Sequence, residues 1–312
     1  MTQLTTRSGA PASSLCFGCM QFGGTADKPA SAAMFEACRA AGINFFDTAH
    51  VYTEGRSETW LGEMVTDQVD DLLIATKAGY VGGSGRANIR ATFDESLRRL
   101  GLDAVDILYL HRWDAETPLE ETFEALADLQ SAGRFRYIGV SNFAAWQVMK
   151  AQAVAEQFGT RIDILQPMYS LIKRQAEVEI LPMALSEGIA VAPYSPLGGG
   201  LLTGKYAEGG TGRLTENEKY EVRYSLPWMH ETAVALRSLA AEIGAAPATL
   251  AVAWVAAHPG VKAPIISARD VAQLDASLAA RDMALPPELY ARITALSQTP
   301  PPATDRLEEA LS

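Results

Sequence analysis

The sequence predicts an α/β fold, a (β/α)8 TIM barrel formed by residues 1–312 as one domain, and three observations carry that expectation. Short apolar runs alternate with amphipathic stretches of helical length, there are eight of the apolar runs, and glycines stand at the ends of the helical stretches. Strict alternation makes neighbouring strands parallel, and eight units over roughly 250 residues or more close a sheet that has no exposed edge. A doubly wound open sheet is the alternative architecture.

In chain order, Leu4 to Ser14 carries a Ser8-Gly9 turn and is expected to form a hairpin lidding the bottom of the barrel. Strands are expected at Ser14–Phe17, Asn44–Asp47, Leu72–Lys77, Val105–His111, Tyr137–Ser141, Ile164–Gln166, Ala190–Tyr194 and Pro264–Ser267. Helices are expected at Ala30–Ala41, Ser57–Val65, Asn88–Leu100, Leu119–Ala132, Ala144–Gln157, Ala176–Glu187 and Asp270–Ala279. Thr117-Pro118 reads as a cap with a first-turn proline, and Gly42, Gly101, Gly133, Gly159 and Gly188 read as helix stops. Extra helices are expected after strand seven, at Glu231–Ile243 and Ala248–His258, and at the C-terminus from Pro286-Pro287 to Leu296. Between strand seven and these helices, Ser195–Lys205 is a glycine-rich loop suited to a phosphate, and Ala207–Tyr224 reads as a flap over a ligand. The tail, 299–312 with Pro300 to Pro302, is expected to be loosely ordered.

Three successive strands end in ionisable chemistry: Asp47, Lys77 and His111, with Tyr52 five residues after Asp47. The mouth of such a barrel lies at the C-terminal ends of its strands, which puts all four on one face. A phenol is a proton donor and acceptor near neutrality only if a cation lowers its pKa from about 10, and Lys77 is the candidate cation. Read blandly, Asp47 and Lys77 are a structural ion pair and Tyr52 a surface residue; the agreement of four positions favours the functional reading. Cys16-x-x-Cys19 is read as apolar packing rather than a redox pair, and Gly82–Gly85 as a flexible linker.

A net charge of −11 argues against a nucleic-acid partner or an acidic membrane surface, since either needs a basic stripe. Three cysteines give no disulfide framework, no His-x-His pair or other metal-ligand spacing stands out, and no apolar run reaches transmembrane length. A cytoplasmic location is expected, and the oligomeric state is left open.

Gly42–Ala49 with Tyr52 and Ser57-Glu58, Thr76-Lys77, Leu110-His111, Gly139–Phe143, Tyr194–Leu197, Leu202–Tyr206 and Ala268-Arg269 with Gln273 resemble the signatures of the aldo-keto reductase superfamily. The likeness spans nearly the whole chain and is nearest to microbial members close to the potassium-channel beta subunits. It implies reduction of a small-molecule carbonyl by NADP(H), with NAD(H) as the alternative cofactor. Tyr52 would be the general acid, supported by Lys77, Asp47 and His111, with Met20, Tyr52, His111 and Trp113 around the substrate. Gly18, Cys19, Met20, Asp47, Ser141, Asn142, Gln166 and Tyr194 would hold the nicotinamide end. Ser195, Leu197, Gly199, Lys205 and Arg213 would clamp the pyrophosphate, and Ser267, Arg269, Gln273 and Ser277 the adenosine. Two departures bear on that far end: Ala276 and Ser277 stand where many relatives carry Glu and Asn, and Asp270 sits beside Arg269. A cofactor-binding regulatory subunit of the channel-beta type is the competing function.

Overall fold

A computed structural model describes residues 1–306 and Glu308; the end of the expected loose tail, 307 and 309–312, lies outside the described residues. Eight strands, β1 (Cys16–Gly18), β2 (Phe45–Asp47), β3 (Leu73–Ala78), β4 (Ile107–Leu110), β5 (Tyr137–Ser141), β6 (Ile162–Gln166), β7 (Ala190–Val191) and β8 (Ile265–Ile266), pair in parallel. The sheet runs β7-β6-β5-β4-β3-β2-β1-β8. Its two ends meet through a parallel bridge between Tyr194 and Ile265 and the bond from Ile265 N–H to Pro193 O at 2.8 Å, so the sheet curls into a barrel. Strand seven is shorter than its apolar run because Pro193 has no N–H to continue the ladder; pairing resumes at Tyr194.

The helices of the outer ring are α1 (Lys28–Ala40), α2 (Arg56–Val65), α3 (Arg86–Leu100), α4 (Leu119–Ser131), α5 (Ala145–Ala155) and α6 (Ile180–Ser186). The stretch from Ala176 is not one helix. A 3-10 turn at Gln175–Glu177 ends, and α6 restarts so that Pro182 falls in its first turn, where a missing N–H costs nothing. Thr117 does not cap α4: Pro118 occupies that position, while the Thr117 hydroxyl donates to Asp114 Oδ2 at 2.6 Å. The same Asp114 oxygen accepts the Ser84 amide at 2.7 Å, so the Gly82–Gly85 segment is tied to its neighbour instead of being a free linker. Beyond β7 come α7 (Arg213–Glu216), α8 (Glu218–Arg223), α9 (Pro227–Glu242) and α10 (Pro247–Ala256), and after β8 come α11 (Val271–Leu278) and α12 (Pro287–Thr294). The segment expected as a flap is thus α7 and α8, and it buries its own Leu214 and Tyr224.

Alternation along the strands sorts side chains into two layers. One set packs against the helices. The other fills the barrel: Cys16, Phe45, Leu73, Ala75, Ile107, Tyr109, Ile164, Ala190 and Ile265 form one interior cluster, closed below by Leu4 and Ala12 of the N-terminal segment. That segment is the expected hairpin, with Thr5 bridged to Pro11 and Thr6 N–H donating to Ala10 O. Space inside is tight. A Cβ on Gly139 would lie 2.2 Å from the Tyr109 ring, so only glycine lets β5 pass that side chain.

Candidate active site

The inward series of each strand ends, at the barrel mouth, in a residue other than an aliphatic. Two residues beyond Cys16 is Gly18, beyond Phe45 is Asp47, beyond Ala75 is Lys77 and beyond Tyr109 is His111. Two beyond Gly139 is Ser141, beyond Ile164 is Gln166, beyond Ala192 is Tyr194 and beyond Ile265 is Ser267. The period of two therefore aims eight side-chain positions at one place. All but Lys77 line a cavity of about 950 Å³, and Lys77 lies against its wall, buried under Tyr52.

Lys77 backs that wall. Its Nζ donates to Asp47 Oδ2 at 2.5 Å, to Thr48 O at 2.7 Å and to Tyr52 Oη at 3.4 Å, and lies 4.9 Å from the Tyr52 ring centroid. Asp47 Oδ1 takes a second hydrogen bond from Gln166 Nε2 at 2.9 Å. Burial alone would strip the Lys77 charge, but Asp47 and Tyr52 outweigh it and hold the ammonium above the ordinary lysine range. The Tyr52 hydroxyl corrects one expectation. Burial pushes it above the ordinary phenol value; Lys77 pulls it down, Asp47 adds to the rise, and the net direction is up. The phenol therefore keeps its proton at neutral pH.

Tyr52 is aimed by the turn that follows it. Thr53 and Glu54 both adopt left-handed backbone, φ 47° and 57°, which non-glycine residues take up at a cost. The turn is secured by the Thr53 hydroxyl, which donates to Phe22 O at 2.7 Å and accepts the Ser57 amide at 3.0 Å. Behind it, fully buried Glu58 accepts from Thr76 at 2.6 Å and from Arg99 at 3.2 Å, and Arg99 also donates to His50 O at 2.8 Å. The strained turn and the strand carrying Lys77 are thereby locked to each other.

His111 meets Tyr52 edge-on, ring centroids 5.8 Å apart, and its buried Nδ1 has no hydrogen-bond partner. Burial, with the charges of Lys77 and Arg112 adding, drives its pKa down to about 3, so the imidazole is neutral at physiological pH. On the far wall Asn142, in left-handed backbone at φ 59°, donates to His111 O at 3.0 Å and accepts from Tyr194 Oη at 2.8 Å. Ser141 donates to Gln166 O at 2.9 Å. These contacts join β4, β5, β6 and the chain after β7 into one rigid rim.

The cavity runs away from this centre along the loop after β7. Ser195, Leu197, Gly199, Lys205, Arg213, Arg269 and Gln273 line it. Gly199 and Gly200 line it in left-handed backbone, φ 66° and 96°, with no side chain between the chain and the cavity. Asp270 caps α11, its Oδ1 accepting Gln273 N–H at 2.8 Å, so its carboxylate is engaged there; Arg269 pairs instead with Glu216 at 3.1 Å. Ser267 Oγ is buried on the wall without a partner. A long channel lined by glycines, three cations and an unpaired hydroxyl suits an extended anionic ligand of dinucleotide size.

Three expected residues are not part of the wall. Cys19 turns its side chain into the core between sheet and helices, because the 3-10 turn at Cys19–Gln21 points it away. Trp113 packs edge-on against Phe143 and Trp146, at 5.2 and 5.7 Å, outside the cavity. Ser277 lies on the buried face of α11, where Ala272, Gln273 and Ala276 form the surface instead. The wall also contains residues the sequence reading passed over: Tyr80, Arg112, Tyr220 and Arg223. Tyr80 and Arg112 follow strand-end residues closely, Lys77 by three and His111 by one. Tyr220 and Arg223 are three apart on α8, hence on one face. No cluster of potential metal ligands occurs among the described residues, and no single helix among them is long and apolar enough to cross a membrane.

The model of the Aldo/keto reductase family matches residues 14–298. A probable voltage-gated potassium channel subunit beta of Oryza sativa subsp. japonica is 36% identical, over 96% of this chain and 97% of its own length. Norsolorinic acid reductase B of Dothistroma septosporum is 33% identical, covering 91% and 78%. Aflatoxin B1 aldehyde reductase member 4 of Homo sapiens is 33% identical, covering 85% and 87%. The chain belongs to the aldo/keto reductase family, oxidoreductases that reduce carbonyl groups with a nicotinamide cofactor.

Proposed function

We propose that this family member reduces an aldehyde or ketone to an alcohol with NADP(H), and that Tyr52 gives the carbonyl oxygen its proton. The observation that carries the reading is the buried chain Asp47–Lys77–Tyr52 at the cavity wall, with neutral His111 beside it. Bound, the nicotinamide supplies the hydride. Negative charge then develops on the substrate oxygen, and a phenol already holding its proton next to an ammonium is placed to quench it. Lys77 carries the positive charge that stabilises the tyrosinate left behind, and Asp47 keeps that lysine charged and oriented. His111, neutral at working pH, orients the carbonyl through a hydrogen bond.

Ser141, Asn142, Gln166 and Tyr194 are assigned to the nicotinamide end with Gly18 and Met20 opposite. The Ser195–Arg213 loop is assigned to the pyrophosphate, and Ser267, Arg269 and Gln273 to the adenosine. NADP(H) is preferred over NAD(H) because Arg269 can grip a 2′-phosphate by exchanging it for the exposed carboxylate of Glu216. The name of the rice relative motivates a second reading, a cofactor-binding subunit of a channel with little turnover. One titration and one assay separate them. NADPH should raise the melting temperature and be oxidised on addition of a panel of aldehydes. Binding without oxidation would favour the second reading, and no binding would remove both.

A further inference from the structure

Five basic residues line the cavity, Arg112, Lys205, Arg213, Arg223 and Arg269, against one carboxylate, Asp47, which is already bonded to Lys77 and Gln166. In a chain of net charge −11 this is a concentrated positive site, and the proposed cofactor accounts for only Lys205, Arg213 and Arg269. Arg112 lies at the opposite end, the residue next to His111. Its guanidinium carbon sits 4.9 Å from the Tyr80 ring centroid, and the Tyr80 ring lies 4.8 Å from that of His111. Among the described residues no carboxylate pairs with it: it lies over an aromatic ring, exposed, and on the lining of the cavity. A guanidinium is a planar fork of N–H donors, the geometry that receives a carboxylate through two parallel hydrogen bonds.

We infer that Arg112 on its Tyr80 platform is an anion-recognition subsite, and that the preferred substrate is a carbonyl compound bearing a carboxylate, bound with its carbonyl at Tyr52 and His111. The inference rests on the reductase reading and adds a substrate class to it. The positive mouth also draws such a substrate in, an effect that salt weakens.

The test compares aldehydes that differ only in a terminal carboxylate, 4-carboxybenzaldehyde against 4-methylbenzaldehyde and succinic semialdehyde against butanal, at saturating NADPH. The wild-type protein should favour the carboxylate partner in kcat/KM by about tenfold or more, a preference that shrinks with added salt. Arg112→Gln should bring the ratio towards one, and Arg112→Glu should invert it. Unaltered NADPH affinity and melting temperature would show that both variants keep the fold and the cofactor site. Equal turnover of charged and neutral aldehydes by the wild type would overturn the inference and leave the reductase reading intact. A preference that survives Arg112→Gln would remove Arg112 from it. Turnover of no aldehyde despite NADPH binding would defeat the reductase reading, and the substrate class with it.

Discussion

At the bottom of the barrel Asp106 accepts the Ile74 amide at 2.9 Å and is met by Arg136 at 3.1 Å and Arg7 at 3.8 Å, arginines whose side chains are about a third exposed. At the mouth Asp47 faces Lys77, with side-chain exposures of 3% and 0%. Both carboxylates are buried, but their partners differ. The lower cations reach solvent and also tie down the N-terminal hairpin, Arg136 donating to Thr5 O at 2.7 Å. The upper cation is enclosed, and its remaining donor capacity points at a phenol. Around it the mouth carries two consecutive left-handed non-glycine residues after Tyr52, an unpartnered His111 Nδ1 and an unpartnered Ser267 Oγ. Backbone strain beside an enclosed ion pair at one end, and a buried carboxylate met by two part-exposed arginines at the other, separate chemistry from support.

Breaking the ion pair at each end is the strongest way to probe this contrast. Lys77→Met strands the Asp47 carboxylate in the core, so stability should fall by about 3–5 kcal/mol and turnover by about 100- to 10,000-fold. Arg136→Met should leave turnover near wild type and cost less stability, because Asp106 keeps Arg7 and the Ile74 amide. Comparable activity losses in the two variants, measured on protein shown to be folded by circular dichroism, would erase the distinction.

A second contrast concerns Asp163 of β6, whose carboxyl accepts the Ile138 amide at 3.0 Å while Arg161 stays 3.8 Å away. Burial raises its pKa to about 6. Because the folded value lies above the unfolded one, the associated stability is complete below the unfolded pKa and is lost as pH rises through about 6. Asp163→Asn retains an acceptor for Ile138. It should match wild type near pH 4 and exceed it by up to about 3 kcal/mol above pH 7. Denaturant unfolding across that range checks the sign; a gap independent of pH would show that the carboxyl is not held neutral by burial.

The smallest effect lies at the far end of the cavity. Arg269→Ala should weaken NADPH by about tenfold while leaving NADH nearly unchanged, since only the former carries a phosphate for a guanidinium to hold. Equal effects on the two would withdraw the 2′-phosphate assignment.

The strands were legible as apolar runs, and Asp47, Lys77 and His111 as the ionisable residues that end three of them, whereas Ser141, Gln166 and Tyr194 were marked only by the resemblance to the family. What the sequence hid depends on contacts between distant segments. Trp113 follows His111 by two residues, yet its packing partners Phe143 and Trp146 draw it outward. Tyr220 and Arg223 enter the wall only because α8 folds over the glycine-rich loop. The direction of the Tyr52 shift escapes the sequence for the same reason: the spacing points to a cation near the phenol, whereas the enclosure that outweighs it is a property of the assembled mouth.

The proposed role of Tyr52 as proton donor is tested most directly by Tyr52→Phe, assayed for NADPH oxidation with an aldehyde and for NADPH affinity in the same preparation. The substitution removes the transferable proton and preserves the ring that meets His111 and Lys77. Turnover should fall by about 100- to 10,000-fold with cofactor affinity close to wild type. A variant that keeps roughly half of wild-type turnover would contradict the account, because general acid catalysis of that modest size would leave the buried Asp47–Lys77–Tyr52 chain a structural device and nothing more.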